Sequence, residues 1–160
     1  MRISRLFFLL IALATVTLPH VVWAQVSTVR ITEAFVPPAA AGRATAAYLK
    51  LQGGPDRLVS ARSDSAGRVE LHETVVENGA TAMRPVGGVI INPGIATQFG
   101  PGGLHVMLSD LRHTLKEGET LSLTLTFERA GKATIAIPIA RNAAAVRPSA
   151  AIPGLRGSPR

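Results

Sequence analysis

The 160-residue chain is long enough for one domain with a real core and short for two. It contains no cysteine, which excludes a disulfide framework, a thiolate nucleophile and any Cys-ligated metal centre. Its 17 basic and 10 acidic residues give a net charge of +7. No basic stripe is interleaved with aromatics, which argues against a nucleic-acid partner.

Residues 1–24 read as a signal peptide. Arg2 and Arg5 form a positive n-region, Leu6 to Leu18 is apolar apart from threonines, and Val22-Trp23-Ala24 fits a small-x-Ala cleavage pattern that leaves Gln25 first. An uncleaved anchor is the rival reading, but the apolar run falls short of the ~20 residues a span needs. The mature chain is therefore expected to be exported. Without Arg2 and Arg5 it has 15 basic and 10 acidic residues, and Arg141, Arg147, Arg156 and Arg160 sit in a tail without an acid. The domain before that tail is close to neutral.

From residue 25 to 140 the dominant period is two. Short alternating runs occur at Thr28–Phe35, Thr45–Leu51, Arg57–Ala61, Arg68–Val76, Val89–Asn92, Leu104–Leu108, Leu121–Phe127 and Ala133–Ile139, each the mark of a strand with one buried face. Turn chemistry separates them: Pro37-Pro38, Gly53-Gly54-Pro55, Asn78-Gly79, Asn92-Pro93-Gly94, Gly100-Pro101-Gly102-Gly103, Glu117-Gly118 and Ala130-Gly131. No stretch sustains a helical period. The pattern predicts an all-β domain, an antiparallel Greek-key sandwich or barrel. Residues 141–160, rich in Ala, Pro, Gly and Arg, read as a disordered tail.

The soft donors of this domain are few and placed unevenly. Beyond residue 24 there are two methionines, Met83 and Met107, and three histidines, His72, His105 and His113. His105 and Met107 are two apart on an expected strand, so they share a face, while Leu104, Val106 and Leu108 point to the core. His72 lies on the strand before the Asn78-Gly79 turn, and Met83 on its expected hairpin partner. Two hairpin-linked donors and an i, i+2 pair can converge on one ion at the end of a sandwich.

Two imidazoles and two thioethers form an uncharged, soft-to-borderline set. Thioether sulfur is a poor ligand for Zn, Mg or Ca and a good one for Cu(I), and it survives an oxidising compartment where free thiols pair or oxidise. A blue-copper centre is excluded because it needs a Cys thiolate. The residues alone also admit a plainer reading, with methionines as core fillers and histidines as solvated or hydrogen-bonded groups.

The spacing His72-x10-Met83-x21-His105-x-Met107 resembles the signature of the PCu(A)C copper chaperones. The flanks agree in Ala47-Tyr48-Leu49, Asp56-Arg57-Leu58-Val59-Ser60-Ala61, Val69-Glu70-Leu71-His72-Glu73, Met83-Arg84-Pro85-Val86, Pro101 to Leu108, Leu115-Lys116-Glu117-Gly118 and Leu125 to Gly131. The similarity runs from about Val26 to Ala140. It implies a cupredoxin-like β-sandwich that binds one Cu(I) per chain through His72, Met83, His105 and Met107. It also implies a periplasmic chaperone that moves copper toward cytochrome c oxidase assembly, with an oxidase subunit or a Sco-type protein as partner. Some relatives have a Met directly after the first His, where this chain has Glu73, and others have a Met- and His-rich tail, which this chain lacks. One site is therefore expected.

Other motifs carry less. Gly100-Pro101-Gly102-Gly103 lacks the Lys-Ser/Thr and following helix of a phosphate cradle and is expected to be a tight turn approaching the site. Glu70 shares a strand face with His72 and is a candidate to orient its imidazole, whereas Glu73, Glu77 and His113 are expected to be solvated. No acid–base pair or nucleophile triad suggests an enzyme. A copper-sequestering resistance protein without a dedicated client, and a metal-free β-sandwich interaction module, remain the alternatives.

Overall fold

The alternation read from the sequence is realised most fully at Thr120–Phe127, where Leu121, Leu123, Leu125 and Phe127 are buried and Ser122, Thr124 and Thr126 face outward. The structure, a computed structural model, describes residues 28–142. The expected signal peptide and residues 143–160 of the expected tail lie outside the described residues.

Ten strands follow in chain order: β1 (Val29–Phe35), β2 (Thr45–Gly53), β3 (Asp56–Arg62), β4 (Ala66–Glu77), β5 (Ala80–Pro85), β6 (Val89–Ile91), β7 (Thr97–Phe99), β8 (Leu104–Leu111), β9 (Thr120–Phe127) and β10 (Gly131–Pro138). They form a six-stranded sheet in the order β1-β2-β7-β8-β4-β5 and a four-stranded sheet in the order β10-β9-β3-β6. All pairings between these strands are antiparallel except a single β7–β8 pair, Phe99 with Leu104. The inner faces meet in one core. Ile31, Leu49, Leu51, Phe99 and Leu108 come from the larger sheet, and Leu58, Ile91, Leu123, Leu125 and Ile137 from the smaller. Such side chains contribute about 1.5–3 kcal/mol each on full burial. The expected all-β sandwich is therefore what the chain forms.

Two elements were not legible as strands with bounds. β7 is only three residues long and carries no alternation to detect, yet it inserts between β2 and β8. β5, foreseen only as a hairpin partner, is mostly exposed and depends on its turn. That turn is Asn78-Gly79, with φ of 51° and 79°, the two positive values a type I′ hairpin requires. It pairs Glu77 with Ala80 and, further along, Thr74 with Met83. A one-residue slip would turn Met83 to the opposite face.

Asp56 ties the smaller sheet together. Its carboxylate is buried and accepts from the backbone amides of Arg57 (2.7 Å), Arg129 (3.0 Å) and Ala130 (2.9 Å), so the start of β3 is fastened to the β9–β10 turn. Asp56→Ala would leave these donors without that acceptor, at about 1–3 kcal/mol for each unsatisfied group. Its urea midpoint should fall by the equivalent of at least about 2 kcal/mol, with Asp56→Asn losing less. Gly79→Val should cost about 1–2 kcal/mol through its left-handed backbone. Gly79→Asn should cost less, and both differences are readable in the same unfolding experiment.

Candidate metal centre

β4 and β8 lie side by side in the interior of the larger sheet. His72 is directly opposite His105, and Glu70 directly opposite Met107. Leu71 and Val106 alternate with them and are buried in the core, so all four of these residues project from the outer face. β5 adds Met83 opposite Thr74, and β2 adds Ala46 opposite Met107. Met83 and Met107 are thus diagonal neighbours of His72 on either side, a Cα relation of roughly 7–8 Å that long side chains span.

The two imidazole rings are 5.8 Å apart between centroids and tilted by 56°. A depression of about 210 Å³ opens beside them, lined by Ala46, Tyr48, Thr74, Met83, His105 and Met107, with Gly102 at its edge. Exposure is graded across the donors: His105 is 3% exposed and Met83 58%, with the His72 side chain at 15% between them. The most accessible donor is a thioether and the least accessible an imidazole.

The glycine turn sets the orientation of His105. Gly102 has φ 79°, and the Gly103 amide donates to the Gly100 carbonyl at 3.1 Å. The Gly103 carbonyl then accepts from the Thr74 amide at 3.1 Å and from His105 Nδ1 at 3.0 Å. Since a carbonyl only accepts, Nδ1 carries the proton and Nε2 presents its lone pair. That Nε2, and both ring nitrogens of His72, are buried without a hydrogen-bond partner among the described residues. Buried polar atoms are normally satisfied, so three unpartnered imidazole nitrogens at one spot are what a ligand site looks like. His72 Nε2 does lie 3.5 Å from Glu70 Oε2, longer than a hydrogen bond of ordinary length.

Among the described residues, no three His, Asp or Glu side chains gather around a common point. What the outer face does gather is imidazole with thioether, a set that fits a soft ion.

The sequence expectation is thus met in the shared face of His105 and Met107 and in the approach of the glycine turn. One element is corrected. The four donors lie on the outer face of the six-stranded sheet, near the beginning of β8, and not at an end of the sandwich. They occupy alternate positions on adjacent strands, and such positions point out of the sheet plane. His113 is exposed and follows the far end of β8. Tyr48 was legible only as flanking similarity, and Ala46 was not singled out. Their signal was alternation with the buried Ala47 and Leu49 on β2.

Residues 26–139 match the LpqE-like family, described as "Putative lipoprotein LpqE-like". A protein of Leifsonia xyli subsp. xyli named "Putative lipoprotein Lxx21020" is 36% identical over 119 residues, 72% of this chain and 71% of that protein. The solution structure of CuI-DR1885 from Deinococcus radiodurans superposes with a TM-score of 0.60 at 30% identity, over 74% of this chain and 83% of that one. The apo PCuAC domain from PmoF1 gives a TM-score of 0.60 at 25% identity, over 73% and 97%. The chain belongs to the LpqE-like family, and its domain has the cupredoxin-like β-sandwich fold of the PCuAC domains.

Proposed function

We propose that the protein is an exported copper chaperone of the PCuAC type, holding one Cu(I) through His72, Met83, His105 and Met107. The observation that carries this reading is the opposed imidazole pair, with three buried, unpartnered ring nitrogens, on a face that also bears two methionines. The structural likeness to a protein described as Cu(I)-bound and the lipoprotein names of its relatives support the copper and the export. Binding and release, without a catalytic step, is the activity that such a donor set performs.

The graded exposure suggests how release works. Two imidazoles and two thioethers leave the charge of Cu(I) uncancelled, so no ligand in the set holds the ion by charge neutralisation. His105 is enclosed and fixed by the Gly103 carbonyl, whereas Met83 is more than half exposed on an edge strand. An incoming donor from a partner meets Met83 first. Displacing that thioether opens the coordination sphere while the histidines still hold the ion, and transfer then proceeds down an affinity gradient. In this reading the recipient is a periplasmic copper protein, with a cytochrome c oxidase subunit or a Sco-type protein as the expected client.

Anaerobic Cu(I) titration against a coloured chelator tests the site. Wild type should bind one equivalent. Met107→Leu should weaken binding at least tenfold (about 1.4 kcal/mol) with an unchanged circular dichroism spectrum, and joint replacement of Met83 and Met107 should abolish competition. Unaltered affinity in the double variant would refute the ligand assignment. With residues 1–24 removed, Tyr48 is the only tyrosine or tryptophan left, and it lines the depression. Its emission should therefore change with copper and level off at one equivalent. Incubation of the loaded protein with an apo oxidase copper domain separates delivery from sequestration: transfer supports the chaperone, and full retention the storage alternative.

A further inference from the structure

We infer that Glu70 is a positioning residue for His72: its carboxylate takes the Nε2–H of the imidazole and thereby presents Nδ1 to the metal. This rests on the copper reading above and extends it to a residue outside the four-donor set.

Glu70 and His72 are two apart on β4 and share its outer face. The carboxylate Oε2 stands 3.5 Å from His72 Nε2, and no other hydrogen bond or ion pair engages the Glu70 side chain among the described residues. His72 has no counterpart of the carbonyl that fixes His105. Neither of its ring nitrogens has a hydrogen-bond partner, although both are buried. A shift of roughly 0.6–0.8 Å by the Glu70 side chain, which is 41% exposed, closes the contact to a charge-assisted hydrogen bond of roughly 2.7–2.9 Å.

That closure satisfies Nε2 and leaves Nδ1 as the lone-pair nitrogen. Metal-bound histidines characteristically donate their other ring N–H to a carboxylate or carbonyl, which fixes the tautomer and raises ligand basicity. Here the two imidazoles use one device of each kind: a backbone carbonyl for His105 and a carboxylate for His72. The consequence is asymmetric, with His105 offering Nε2 and His72 offering Nδ1.

Glu70 acts through His72 and not as a ligand itself. A carboxylate is a hard donor poorly matched to Cu(I), and Glu70, His72 and His105 do not converge on one point. Its negative charge nevertheless lies beside a site whose four donors are neutral, which favours retention of a cation.

The test pairs a tautomer measurement with an affinity measurement on the same proteins. Long-range 1H–15N correlation spectra of copper-free wild type should show His72 with its proton on Nε2 and His105 with its proton on Nδ1. Glu70→Leu should lose the His72 preference and bind Cu(I) about 10–100-fold more weakly. Glu70→Gln, which keeps an acceptor oxygen, should preserve the tautomer and lose far less affinity. A His72 proton on Nδ1 in wild type, or wild-type Cu(I) affinity in Glu70→Leu, would overturn the assignment. Failure of wild type to bind Cu(I) at all would instead refute the copper reading, while the spectra would still decide whether Glu70 holds the ring.

Discussion

The antiparallel pairing of β4 with β8 is the constraint on which the rest of this structure depends. One face of that pair supplies Leu71, Val106 and Leu108 to the core, and the other carries His72, His105, Glu70 and Met107. The two faces cannot be set independently, because a strand's side chains alternate strictly. A register error that moved the histidines would also expose the leucines, at several kcal/mol for the set. The hydrophobic core thus acts as the jig that brings the imidazoles opposite one another.

Placing the two histidines on interior strands gives them rigidity, and placing them on an outer face gives them access. The two requirements usually conflict, since loops offer access and packed elements offer precision. Here the two are combined: Tyr48, Met83 and Met107 line the same depression as His105, and a residue on the outward face is still only 3% exposed. The uncharged donor set also fits a chain with no cysteine.

Much of this was legible because period two is a strong signal. Leu121 to Phe127 announces both a strand and its buried side, and the i, i+2 spacing of His105 and Met107 fixes their common face without any structure. Asn78-Gly79 announces the hairpin that carries Met83. Long-range facts were not legible. That His72 faces His105, and not a neighbouring row, depends on how two strands 33 positions apart settle against each other, and core packing across the sandwich decides that. β7 is too short to show a pattern. The bulge at Glu33, with φ 54°, shifts the β1–β2 register without any turn residue to signal it. Asp56 looked like one more flanking residue, because its three amide partners include two that lie more than 70 positions away.

The location of β5 at the margin of its sheet has a mechanical consequence. A strand held by ladder bonds on one side only yields to displacement far more readily than one braced on both. Three of the four proposed donors are mounted on β4 and β8, which have neighbours on either flank, and the fourth on β5, which does not. The cradle is therefore built in two stiffnesses: a firm floor that keeps its shape, and a compliant wall that swings without disturbing it. On the copper-chaperone reading proposed above, the strand that gives way when cargo changes hands is the one that can do so without straining the core.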